Sequence, residues 1–128
     1  MTETLIAAPT EPTTDTALFE LLTLECRVDS DGSSRYYDAL GQLHRLYGPA
    51  VEYSDGSKLW YQNGQRHRLD GPAVERDDGY RAWYQNGRLH SLDGPAAEWA
   101  NGSKFWAIND KALTEAEWQR AVASMGNV

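Results

Sequence analysis

The chain has 128 residues, one domain's worth, and no apolar run approaches the length of a membrane span. Five Trp, seven Tyr and eleven Gly favour sheets and tight turns over a helical bundle, and the single cysteine, Cys26, excludes an internal disulfide framework and a cysteine-based zinc site. The net charge of −7 has the wrong sign for direct binding to nucleic acid or an anionic membrane, and it is concentrated before residue 35, where seven acids face only Arg27.

Residues 1–14 are rich in Thr, Ala, Pro and Glu without periodicity, which predicts a flexible tail. The start lacks the basic region of a signal peptide, and with one cysteine the expected location is the cytoplasm. Residues 15–24 form a short N-terminal element. Leu18, Leu21, Leu22 and Glu25 stand at helical spacing behind Thr14 or Asp15 as cap, and a strand starting near Leu22 is the competing expectation.

Residues 25–113 are an internally repeated array. Gly48 to Asp70 reads GPAVEYSDGSKLWYQNGQRHRLD, and Gly71 to Asp93 reads GPAVERDDGYRAWYQNGRLHSLD, a period of 23 residues. A third copy opens at Gly94 with GPAAEWANGSKFWAIND and then changes, while DSDGSSRYYDALGQLHRLY before it is a worn first copy with one extra residue in Asp38-Ala39-Leu40. Periods of this size mark stacked supersecondary units in which each copy buries its apolar face on its neighbours. Asp55-Gly56 and Asn63-Gly64, with their counterparts Asp78-Gly79, Asn86-Gly87 and Asn101-Gly102, are hairpin turns between β-formers. Taking each as a two-residue loop sets Tyr61 opposite Arg66, Trp60 opposite His67, and Val51 opposite Trp60. Val51, Trp60 and His67 then form a row on one face, with Trp60, Trp83 and Trp106 as the spine of the core. The other face carries Glu52, Leu59, Tyr61, Arg66 and Arg68. Asp70-Gly71-Pro72 must turn or kink; a kink inside one long strand leaves two long strands per copy and a single antiparallel meander. Residues 114–128 hold a helix over Thr114 to Ala123 that folds back on the sheet end, opened by the capping box Thr114-x-x-Glu117.

The run Trp60-Tyr61-x-Asn63-Gly64-x-Arg66-His67 with Asp-Gly-Ser resembles the MORN repeat, a 23-residue β-hairpin unit. It is also similar to W-Y-x-N-G-x-x-H-x-x-D-G-P-A repeats of phage and mobile-element proteins, which often end in an LTEAEW-like helix. The resemblance covers about Glu25 to Trp118 and departs from MORN at Asp70-Gly71-Pro72-Ala73, where MORN carries Gly-x-Gly. It implies an elongated, mainly β meander of hairpins that binds protein or lipid without catalysis.

His44, His67 and His90 recur at the repeat spacing and invite a metal reading. Their counterpart in the last copy is Leu113, opposite Trp106, so the position is expected to be one of packing. Glu52, Glu75 and Glu98 with Asp70 and Asp93 supply paired carboxylates, yet they recur once per copy, whereas catalysis needs one asymmetric constellation. No P-loop, dinucleotide fingerprint or Ser-His-Asp context is present. The expectation is a protein that is not an enzyme and uses no cofactor or metal. Tyr61, Tyr84, Arg66 and Arg68, with Glu52 and Glu75, form the candidate binding surface, because Tyr and Arg dominate interface hot spots. The partner is expected to be a protein, either a bacterial defence protein or a nucleoprotein complex, blocked as anti-CRISPR proteins block theirs. Two other readings stand beside it: a MORN-type scaffold or antitoxin-like partner, and an acidic DNA mimic relying on the N-terminal residues.

Overall fold

The computed structural model describes residues 23–126, so the expected tail and all but the last two residues of the N-terminal element lie outside the described residues. The chain forms β1 (Glu25–Val28), β2 (Ser34–Tyr37), β3 (Val51–Glu52), β4 (Lys58–Leu59), β5 (Tyr61–Gln62), β6 (Gln65–Arg66) and β7 (Val74–Glu75). It continues through β8 (Arg81–Ala82), β9 (Tyr84–Gln85), β10 (Arg88–Leu89), β11 (Ala97–Glu98), β12 (Lys104–Ile108), β13 (Lys111–Leu113) and α1 (Glu115–Gly126). Nine strands make one antiparallel sheet in the order β1-β2-β3-β4-β7-β8-β11-β12-β13, and β5–β6 and β9–β10 are separate hairpins.

The two kinds of turn differ by one residue, and that difference sets the faces of the sheet. At Asn63-Gly64 the loop has two residues, with Tyr61 opposite Arg66 and Gln62 opposite Gln65 as expected. Asn63 at φ 54° and Gly64 at φ 79° take the left-handed angles of a type I′ turn. At Asp55-Gly56 the loop has three. Tyr53 N–H donates to the Ser57 carbonyl at 2.9 Å, and the Asp55 carboxylate accepts from Ser57 N–H at 2.8 Å, an aspartate turn that a two-residue loop has no room for. The same side-chain bond recurs at Asp31–Ser33, Asp78–Tyr80 and Asn101–Ser103.

The extra residue shifts the register so that Val51 lies opposite Leu59, not Trp60. A one-residue shift moves every side chain to the other face. The row Val51–Leu59–Val74–Ala82–Ala97 therefore lines the inner face. Glu52–Lys58–Glu75–Arg81–Glu98–Lys104 lines the outer face, acid and base alternating strand by strand, an arrangement that cross-strand pairing favours. Val51, Val74, Ala82 and Ala97 are buried, whereas Trp60, Trp83 and Trp106 are only half-buried. The expected tryptophan spine is thus replaced by a Val/Ala core against which Leu59, Tyr80, Tyr84 and Leu89 pack.

In the two full copies the expected long strands are divided at Trp60 and Trp83. Trp60 N–H donates to the Ala73 carbonyl while its own carbonyl accepts from His67 N–H, so this residue joins β4 to β5 across a bend. The cause lies on the neighbouring segment. Arg68 N–H reaches the Tyr84 carbonyl and Ala73 N–H reaches the Ala82 carbonyl, so residues 69–72 bulge out across from Trp83. The kink preferred for Asp70-Gly71-Pro72 is this bulge, and it bends both strands of the ladder. In the last copy β12 runs unbroken from Lys104 to Ile108.

The C-terminal lid forms as expected. Thr114 N–H donates to Glu117 Oε1 at 2.9 Å and Glu117 N–H to Thr114 Oγ1 at 3.1 Å, and the helix runs three residues beyond Ala123, to Gly126. Trp118 lays its ring on Trp106, centroids 4.7 Å apart, and its Nε1–H donates to the Ser91 carbonyl at 2.8 Å. Among the described residues no helix is long and apolar enough to cross a membrane.

Candidate binding cleft

Because the Asn63-Gly64 turn sets Tyr61 beside Arg66, and because Gly87 N–H and the Tyr84 carbonyl bond the next hairpin to the same strand, Arg66 lies between two tyrosines. Its guanidinium carbon is 5.3 Å from the Tyr84 ring centre and 6.0 Å from that of Tyr61. The side chain is half-buried, its Nε is buried without a hydrogen-bond partner, and no carboxylate of the described residues lies within ion-pair distance. Buried guanidinium groups are ordinarily paired. Burial alone would lower the proton affinity of Arg66, but Tyr61 and Tyr84 outweigh it, and the group titrates above the usual arginine range. The two phenol groups thus favour the charged guanidinium, whose carbon also lies over both rings, without supplying a carboxylate counter-charge.

Arg66 lines an open cleft of about 400 Å³. Leu59 and Val74 contribute apolar surface; Tyr53, Tyr80 and Tyr84 contribute rings; Asp55, Ser57 and Arg76 complete the lining. Burial pushes the Tyr80 phenol above its ordinary range. Arg76 is bound to Asp78 at 2.5 Å and stacks over Tyr80 at 5.0 Å, so its charge is met locally. Arg66 is the cationic group of the cleft that has no such partner.

Comparison between copies marks Arg66 and Tyr80 as exceptions. The position of Arg66 is Leu43, Leu89 and Ala112 in the other copies, and Leu89 packs on the core. Ser33 and Ser57 accept the N–H of Ser54 and Asp77 in the next loop, at 3.0 and 2.9 Å. Tyr80 stands where that serine is expected and instead meets Trp99, ring centres 5.2 Å apart. Tyr53 and Tyr80 were not among the expected site residues, yet the break in Asp-Gly-Ser at Asp78-Gly79-Tyr80 is visible in the sequence.

The other expected site residues lie elsewhere. Arg68 does not share the Tyr61 face: its guanidinium stacks on Trp60 at 3.8 Å, donates to the Pro72 carbonyl at 3.1 Å, and pairs with Asp70 at 3.1 Å and Glu75 at 3.5 Å. It braces the bulge, as Arg45 does against Tyr36 and the Pro49 carbonyl. A Cβ at Gly71 would come within 2.8 Å of the Arg68 guanidinium carbon, so a side chain there would have to push the guanidinium out of this seat. Glu52 and Glu75 belong to the alternating outer row, on the face away from Leu59, because of the three-residue loop.

The histidines link the copies. Asn63 N–H donates to His44 Nδ1 at 2.9 Å, Asn86 N–H to His67 Nδ1 at 3.0 Å, and Asn109 N–H to His90 Nδ1 at 3.1 Å. Each imidazole must be unprotonated at Nδ1 to accept. Burial lowers the proton affinity of His67 and favours that state. Leu113, opposite Trp106, has no following turn to receive. Among the described residues no group of three or more His, Cys, Asp or Glu is disposed to hold a metal. No protein-family model, no curated protein and no solved structure matches the chain.

Proposed function

We propose that this chain is a non-enzymatic interaction module of MORN-like architecture that grips a partner protein in the Arg66 cleft. Arg66 meets a partner carboxylate, and Tyr53, Tyr80 and Tyr84 supply rigid contact area. The observation that carries this reading is a half-buried guanidinium, with no counter-ion among the described residues, at a position apolar in every other copy. The 23-residue recurrence of the type I′ turn and of the His–Asn hydrogen bond supports the MORN-like assignment. The resemblance to phage repeats suggests the biological form: a protein acting in the bacterial cytoplasm that binds and blocks a host defence protein. The alternating outer row offers no uniformly acidic face, so a DNA mimic would rest on the N-terminal residues alone.

Arg66→Leu tests it, since leucine is what Leu43 and Leu89 place at the same site. The variant should fold at least as well as the parent while affinity for a partner captured from bacterial lysate drops at least tenfold, about 1.4 kcal/mol. Unchanged affinity in a folded Arg66→Leu chain would remove the cleft from the interface.

A further inference from the structure

The two ends of the sheet are finished differently. At one end α1 covers β12 and β13, with Trp118 seated on Trp106. At the other, all four residues of β1 are exposed, and among the described residues no other strand pairs with its outer edge. Stacked β arrays need both ends finished, because an open edge is a template for another strand.

We propose that β1 pairs antiparallel with β1 of a second copy, joining two nine-stranded sheets about a two-fold axis with a helix at each outer end. The backbone is oriented for it. Asp29 N–H donates to the Ser33 carbonyl, so alternation along the β1–β2 ladder leaves the N–H and C=O of Cys26 and Val28 pointing away from β2. The sequence is self-complementary about Cys26. With Cys26 opposite the second copy's Cys26, Glu25 falls opposite Arg27, and Leu24 opposite Val28, which is 68% exposed in the single chain. Glu25 and Arg27 now bond each other along the same strand at 2.9 Å, an exposed pair that exchanges at little cost for the two reciprocal pairs of the dimer.

Sedimentation equilibrium of the full chain at physiological ionic strength, where the like charges of two acidic chains are largely screened, should show a dimer in the micromolar range. Glu25→Arg or Arg27→Glu, each placing like charges opposite, should weaken it roughly tenfold or more, and the double exchange should restore it. Facing Cys26 residues stand about 5.5 Å apart at Cα, inside disulfide range. Oxidised glutathione should therefore couple them, two thiols giving one disulfide and two reduced glutathione molecules, while Cys26→Ser still dimerises uncoupled. A monomer throughout that range overturns the proposal. So does a dimer that is indifferent to the charge exchanges or that leaves Cys26 uncoupled.

Discussion

The two long edges of the array obey the same period but different rules. Along the Asn-Gly edge the bond from a turn amide to the preceding imidazole recurs at all three junctions, at 2.9, 3.0 and 3.1 Å. Along the Asp-Gly edge the corresponding serine bond holds at two junctions and gives way at Tyr80, beside the cleft. In a repeated chain, whatever every copy keeps is needed at every junction, and a single departure is free to serve something other than stacking. Tyr80 and Arg66 are such departures.

The sharpest way to break the regular edge is to remove its acceptors. His44→Ala, His67→Ala and His90→Ala together should cost about 1 kcal/mol per lost hydrogen bond, roughly additively because the three bonds share no partner. For a domain of this size that lowers the melting temperature by roughly 10 °C or more, readable by circular dichroism. Acid should act on the same edge more gently. Burial lowers the proton affinity of His67 in the folded chain, so the unfolded chain takes up its proton first as pH falls below the ordinary histidine range. The contribution is fully present above about pH 6.5 and is lost below it. Urea midpoints measured above and below that value should fall for the parent and change less for the triple variant.

The other edge should respond in binding rather than in stability. Tyr80→Ser restores the Asp-Gly-Ser pattern and its serine bond, which offsets part of the packing lost on the core and on Trp99, so stability should fall by only about 1 kcal/mol, while removing a ring from the cleft and weakening the partner several-fold. A large loss of stability would make Tyr80 an ordinary packing residue. The outer row should be the least sensitive: Glu52→Gln removes one charge from an alternating series, and denaturant midpoints should move by about 0.2–0.5 kcal/mol.

Much of this was legible before the structure. The period, the register across Asn63-Gly64, the Trp106–Leu113 pairing and the Thr114–Glu117 box all follow from residue type and spacing. The loop at Asp55-Gly56 did not follow, because the same dipeptide suits a two-residue turn and a three-residue turn closed by its own carboxylate. That one residue of parity carried Glu52 and Glu75 to the outer face and took the tryptophans out of the core row. Arg68 was misplaced for a different reason. Its partners Pro72 and Trp60 meet only because residues 69–72 bulge, and alternation along a flat strand does not produce that contact. Arg66 could have been singled out by setting it against Leu43 and Leu89.

The His–Asn bond also gives the array a direction. Each full copy offers one imidazole forward and one turn amide backward, so any copy is a compatible neighbour for any other. An additional 23-residue block inserted at the Asp70–Gly71 boundary would bring its own acceptor and donor, its own acid and base for the outer row, and its own bulge. The molecule is therefore extensible by tandem duplication without redesigning either end. Growth in this family of shapes stops where Leu113 replaces the imidazole and the chain turns into a helix.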